Sequence, residues 1–337
     1  MTRSPRASRH RHDPTRRKLL GASAALALGP ALGATLAHAQ APFPVRPITI
    51  WLPWPAGGAT DLTFRILADG VSRRLGQKVL VENRGGAGGT LAMPIIQQAQ
   101  PDGYTLAQLP QTVLRAPWTR KVLWDPIRDT TPIIQISGVT FGIVVPANSP
   151  FRSLDDLFAW AKAHPGELNI ATNGTGTTPH VVMDDLFGRR GLTFNHVPYK
   201  GTAEQMIAVS TGQVQVGVNS NGFGPFVDSG RLRLLVTFGE HRTKRWPNVP
   251  TLKELGHGIV ATSPYGIVGP AGIPAPIVAT LHDAFRAAMN DPAHVAELAV
   301  YDQELAYLGP QEYGRALKVS YETERKVVER MGLAKSE

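Results

Sequence analysis

Hydrophobic positions along the chain follow two periods in turn. Short apolar, β-branched runs at Ile48–Leu52, 79–81, 133–137, 141–146, 168–171, 214–218 and Leu232–Thr237 read as strands. After the first run, Phe64, Leu67, Val71 and Leu75 recur at three- and four-residue steps with Arg65, Arg73 and Arg74 off that stripe, which predicts a helix over 61–75. A second helix is predicted over 153–164, opened by Ser153 with Asp155 and Asp156 in its first turn. A third spans 178–187, with Thr178 as its N-cap and Pro179 at the first helical position, where a missing N–H costs nothing. Helices over 203–211, 275–290, Pro292–Val300 and 311–331 complete the set. The last carries Tyr313, Leu317, Ser320, Val327, Val328 and Met331 near one face, a core-facing stripe. Strands alternating with helices predict α/β lobes with largely parallel sheets.

The first 39 residues belong to a different grammar. Thr15-Arg16-Arg17-Lys18-Leu19-Leu20 is a twin-arginine pattern, followed by an Ala/Leu/Gly-rich stretch to Leu36 and then Ala37-His38-Ala39. This is the order of a bacterial export signal cut after Ala39, which places the mature chain in the periplasm. A membrane anchor is the competing reading, but Gly and Ala dominate the apolar run and Pro30 interrupts it. The signal holds seven Arg or Lys and one Asp, so the formal charge of +9 falls to +3 for the mature chain, 28 basic against 25 acidic residues. No run of basic residues or basic–aromatic stripe remains, and nucleic acid is not an expected partner. The chain has no cysteine, which excludes disulfides, thiolate nucleophiles and cysteine metal sites. The mature length is enough for two lobes.

Two loops carry candidate chemistry. In Ile48-Thr-Ile-Trp-Leu-Pro-Trp-Pro-Ala-Gly-Gly-Ala-Thr-Asp61 an apolar strand enters a Pro/Gly loop, and Thr60 or Asp61 stands where a helix begins. A helix start offers unpaired backbone N–H groups and the positive end of a dipole, and Gly57 and Gly58 let the main chain approach a ligand closely. Asn173-Gly-Thr-Gly-Thr-Thr-Pro-His180 is a second loop of this kind. Two such cradles facing across a cleft would hold a dianion at both ends. An ordinary βα turn is the competing reading of each.

Further segments stand in a definite order: Val81-Glu-Asn-Arg-Gly-Gly-Ala-Gly-Gly89, Gln100-Pro-Asp-Gly-Tyr-Thr-Leu106, Pro198-Tyr-Lys-Gly-Thr202, Asn248-Val-Pro-Thr-Leu-Lys-Glu-Leu-Gly256 and Tyr265-Gly-Ile-Val-Gly-Pro-Ala-Gly272. With the two cradles they span nearly all of the mature chain. Together they resemble the extracytoplasmic solute receptors called Bug proteins, the substrate-binding components of tripartite tricarboxylate transporters. The resemblance implies a type 2 periplasmic-binding-protein fold, two α/β lobes joined by two crossover strands near 141–146 and 264–270. Lobe one would then comprise 41–143 plus 265–337 and lobe two 144–264.

By the same resemblance a small organic carboxylate sits between the lobes and passes to permease subunits in the cytoplasmic membrane. It assigns Ala56, Gly57, Gly58, Thr60 and Asp61 to the ligand in lobe one, and Thr175, Gly176 and Thr177 in lobe two. Trp54, where relatives often carry Phe, is expected to wall the pocket. Asp61 beside an anion is expected to cap its helix or fix loop amides. Lys200 is a candidate for neutralising ligand charge, and Gln215 stands where relatives commonly have an acid.

A monomer without metal or cofactor is expected. A ligand-sensing receptor docking a sensor-kinase ectodomain, or an acid-binding periplasmic enzyme, are the alternative functions. Enzymatic signatures are missing: there is no G-x-S-x-G elbow, phosphate loop, G-x-G-x-x-G or H-E-x-x-H. The seven mature histidines do not pair at metal-ligand spacing. Of these, His180 lies nearest a cradle.

Overall fold

The computed structural model describes residues 43–334, so the expected export signal at 1–39 lies outside the described residues. The elements run β1 (Ile48–Leu52), α1 (Ala59–Leu75), β2 (Val79–Asn83), α2 (Met93–Gln98), β3 (Thr105–Leu109), α3 (Gln111–Thr119), β4 (Thr130–Pro146), α4 (Leu154–Ala163), β5 (Asn169–Thr172) and α5 (Thr178–Gly188). They continue through β6 (Asn195–Pro198), α6 (Thr202–Ser210), β7 (Val216–Ser220), α7 (Gly224–Asp228), β8 (Leu232–Thr237), β9 (Thr262–Pro270), α8 (Ala275–Met289), α9 (Pro292–Val300), β10 (Leu305–Leu308) and α10 (Pro310–Arg330).

The periodicity translates directly into packing. Ile48, Ile50 and Leu52 of β1 are fully buried, and the Phe64/Leu67/Val71 stripe of α1 closes over them with Tyr265 and Phe285. Gly76, at φ 64°, ends α1 in the left-handed conformation that glycine adopts without strain. Ser153 caps α4 in a reciprocal box with Asp156.

One strand organises the molecule. The strand order is β2-β1-β3-β9-β4-β7-β5-β6, with β8 and β10 also on β4. The first part of β4, Thr130 to Thr140, runs antiparallel to β9; from Phe141 onward the same strand pairs with β7 and β8. Thus β4 leaves one sheet and enters the other without a break, and β9 returns beside it. The result is two α/β lobes joined by two crossover strands. Each lobe has its own core: Ile50, Phe64, Leu106, Ile134 and Phe285 on one side, Ile143, Phe158, Leu186, Val218 and Phe238 on the other.

Several expectations are revised. The runs 133–137 and 141–146 are one 17-residue strand, because Gly138 and Thr140 stay extended through the crossing. Parallel pairing holds for β1–β3 and for β5–β7, while the central β4 and β9 are antiparallel to their neighbours. Helix α5 has Thr177 rather than Thr178 as its N-cap, so Pro179 sits one position further in. Strands β3, β6 and β10 and helices α2, α3 and α7 are additional to the predicted set. No helix among the described residues is long and apolar enough to cross a membrane.

Candidate functional site

A cavity of about 200 Å³ lies between the lobes, floored by the crossover strands through Val139 and Phe141 of β4 and Ser263 and Tyr265 of β9. Four helices begin at its wall. Gly58, Ala59 and Thr60 come from the start of α1, Pro110 and Thr112 from α3, Thr177 and Thr178 from α5, and Gly201, Thr202 and Ala203 from α6. The N-cap residues Gly58, Pro110, Thr177 and Gly201 all have extended backbone, and none makes a side-chain cap. First-turn N–H groups have no partner within their own helix, so each of these starts offers donors and a partial positive charge to the same space. No Lys, Arg or His lines the cavity, and the charged residues on its lining are Asp61 and Glu204. Attraction for an anion therefore comes from main-chain dipoles and hydroxyls rather than from formal charge.

Asp61 does not contribute a free negative charge to this site. It is 2% exposed, its Oδ2 accepts from the Gly57 amide at 2.9 Å, and Arg65 holds it at 2.8 Å. Asn83 donates from Nδ2 to Asp61 Oδ1 at 2.9 Å and to the Trp54 carbonyl at 3.1 Å, tying the loop down at both ends. Burial opposes ionisation of Asp61, but hydrogen bonds from Arg65, Gly57 and Asn83 and the Arg65 charge together outweigh it and hold the carboxyl below its ordinary value. Asp61 thus stays ionised and sets the shape of the cradle. Trp54 walls the cavity and donates from Nε1 to Gln108 Oε1 at 3.1 Å.

Among the nine residues expected at the site, Trp54, Ala56, Gly58, Thr60, Asp61 and Thr177 line the cavity; Gly57, Thr175 and Gly176 do not. Gly57, at φ 82°, turns its amide onto Asp61. Gly174 and Gly176 both have positive φ, 127° and 75°, and the loop between them turns away from the cavity. Thr175 borders a separate cavity of about 220 Å³ with Gly88, Arg120, Tyr199 and Lys200. Both main-chain groups of Gly176 are engaged: its amide donates to His180 Nδ1 at 3.3 Å and its carbonyl accepts from Arg115 Nη1 at 2.9 Å. His180 packs against His196 with ring centroids 4.0 Å apart and the planes tilted by 37°. Burial and then the Arg115 charge lower the His180 pKa, while burial and then the His180 charge take His196 down to about 4, so both rings are neutral at neutral pH.

The other residues singled out from the sequence have structural positions. Gln215 Oε1 accepts from the Asn169 amide at 3.0 Å. The Gly85–Gly89 loop meets lobe two directly, since a Cβ on Gly88 would lie 2.8 Å from the Thr175 carbonyl oxygen. Sequence reasoning does not assign to the site the starts of α3 and α6, although it predicts the α6 helix, nor Gln108 and Ser220, and it names Asn173 only as the first residue of the second cradle. Asn173 Oδ1 is buried at the cavity without a hydrogen-bond partner, an acceptor that a bound donor or water would satisfy. For α6 the signal was present: Pro198-Tyr-Lys-Gly-Thr202 is a third strand–glycine–helix junction. For α3 it was not, because Pro110 replaces the glycine.

Residues 63–333 match the family described as the tripartite tricarboxylate transporter family receptor. A protein of Cupriavidus necator, "UPF0065 protein in gbd 5'region", is 45% identical over 97% of this chain and 99% of its own length. Among solved structures, the periplasmic binding protein BugD superposes with a TM-score of 0.83 at 27% identity, covering 87% of this chain and 100% of that one. MatC of Rhodopseudomonas palustris, solved with bound malate, gives 0.79 at 27% identity over 85% and 100% of the two chains. Another R. palustris protein, solved with adipate, gives 0.81 at 26% identity over 87% and 99%. The two-lobed fold is accordingly that of the periplasmic binding proteins, and the chain belongs to the tripartite tricarboxylate transporter receptors of the Bug type.

Proposed function

We propose that this protein is an exported receptor that captures a small organic carboxylate in the cavity between its lobes and delivers it to permease subunits in the cytoplasmic membrane. The observation that carries the reading is the convergence of four uncapped helix starts on one cavity without a basic side chain. Charge-assisted hydrogen bonds contribute about 1.5–3 kcal/mol each, so four to six of them support roughly micromolar binding after the costs of association. The malate and adipate held by the two R. palustris neighbours are carboxylates of the size this cavity suits.

In this reading Trp54, Ala56, Gly58, Thr60 and Thr177 contact the ligand, joined by Asn173, Thr178 and Thr202. Gly57, Asp61 and Gly176 hold the loops that present them. The lobes close about β4 and β9; the expected boundary at 143/144 moves to 140/141, where β4 changes from pairing with β9 to pairing with β7 and β8. The mature chain is a periplasmic monomer released from a twin-arginine signal after Ala39. It carries its ligand unchanged, without cofactor, metal or catalysis.

A thermal-shift series with mono-, di- and tricarboxylates on the mature protein tests this. Binding adds RT ln(1 + [L]/Kd) to stability, so at about a hundredfold excess over Kd the gain is roughly 2.7 kcal/mol and the melting temperature rises by several degrees. Uncharged diamides of the same length should give no rise. A folded protein indifferent to every acid would contradict the proposal.

A further inference from the structure

Arg115 and Glu324 form a buried ion pair, 3% and 5% exposed, between α3 and α10. Arg115 donates from Nε to Glu324 Oε2 at 2.6 Å and from Nη2 to Oε1 at 3.1 Å, and Gln111 donates to the same Oε1 at 2.8 Å. These residues stand on helices that pack together around Val113, Leu114, Tyr313 and Leu317, so the pair is assembled within one lobe. Two-point contact with Glu324 fixes the guanidinium plane and aims its remaining edge. That edge crosses to the other lobe. Nη1 donates to the Gly176 carbonyl at 2.9 Å, and Nη2 reaches Thr178 Oγ1 at 3.4 Å.

Thr178 is the first residue of α5 and lines the cavity. Gly176 is held from its other side by the neutral ring of His180. A buried ion pair seldom stabilises a fold better than apolar residues of similar volume, so stability alone gives little reason for this one. Its position supplies a reason. When the lobes part, the bonds to Gly176 and Thr178 break and water takes their place, while Glu324 keeps the Arg115 charge paired. Opening thus carries no penalty of an orphaned charge, and closing places the start of α5 in a fixed register over the cavity.

We infer that Arg115 is a positioning residue for ligand capture, a latch built in one lobe that holds the α5 cradle of the other in its closed place. The inference rests on the reading of the protein as a receptor that closes on its ligand. Because the chain lacks cysteine, spin labels can be introduced uniquely at Leu62→Cys on α1 and Ile207→Cys on α6, helices whose starts both line the cavity. Inter-label distances are then measured in the parent, in Arg115→Lys and in Arg115→Met/Glu324→Leu, each without ligand and with excess adipate.

Lysine keeps the charge opposite Glu324 but cannot serve both lobes, and the double variant removes the pair without stranding a charge. Both should shift the distribution to longer separations, the closed-to-open ratio falling about ten-fold. A purely structural role would lower the melting temperature and leave the distances alone. Distributions in either folded variant that superimpose on the parent under both conditions overturn the inference; should Arg115→Lys fail to fold, the double variant decides. Adipate that fails to raise the parent's melting temperature would count against the carboxylate reading, while the ligand-free distances still judge the latch.

Discussion

Gly58→Leu should abolish carboxylate binding and leave the protein folded. Gly58 is the N-cap of α1 at φ −82°, a conformation open to any residue, and a Cβ there meets nothing nearer than the Pro55 carbonyl oxygen at 3.9 Å. The backbone accepts the side chain, and Gly58 lies on the cavity lining. Losing a favourable N-cap residue costs about 1 kcal/mol, a few degrees of melting temperature in a protein of this size. The leucine would fill the volume against the α1 amides and exclude the carboxylate from its first-turn donors. Titration calorimetry with adipate should show affinity falling by roughly 100-fold or more, the loss expected when two or more charge-assisted hydrogen bonds go unmade. Affinity within about two-fold of the parent would place the ligand elsewhere.

Gly201→Ala should weaken binding through closure rather than through contact. Gly201 has φ −166°, ordinary extended backbone, so alanine introduces no strain. The obstacle is spatial: a Cβ at 201 would lie 2.7 Å from Cδ and 2.8 Å from Cγ of Pro55. Pro55 belongs to the loop after β1 in the other lobe, its ring is rigid, and it already fits closely against Gly85, where a Cβ would lie 2.6 Å from Cδ. The clash is relieved only when the lobes move apart. Overpacking of this kind costs about 1–3 kcal/mol, which becomes a loss of affinity of roughly five- to 150-fold if it is felt only in the closed form. The melting temperature without ligand should change little. Adding Pro55→Ala should restore most of the affinity. Unchanged affinity in the single variant would mean that this seam does not close on the ligand.

How much was legible in advance follows from the range of the interactions involved. The core stripe of α1, the opening of α4 at Ser153 and the apolar run of β1 are written within a few residues, and each appears where the sequence puts it. The unity of β4 was hidden, because Gly138 interrupts the apolar run while the backbone continues extended through register shifts. Strand β3 is short and buried on both faces, Leu106, Ala107 and Leu109 all lying inside, so it shows no alternation to mark it in the sequence. At the site, the cradle before α1 was readable because glycines and an acid mark it. The α5 loop was located, but its two positive-φ glycines turn Thr175 and Gly176 away from the cavity, a reversal that residue types alone do not reveal. Arg115 and Glu324 lie more than two hundred positions apart, and nothing local in either segment announces their meeting.

In the proposed function, backbone amides from several helix starts, rather than basic side chains, hold a carboxylate between the lobes. A crystal structure of the mature protein grown with adipate tests that most directly. The predicted result is a carboxylate group with oxygens within about 3.2 Å of first-turn nitrogens from at least two of α1, α3, α5 and α6. Adipate bound in another cavity, or with its carboxylates paired to lysine or arginine side chains, would contradict it.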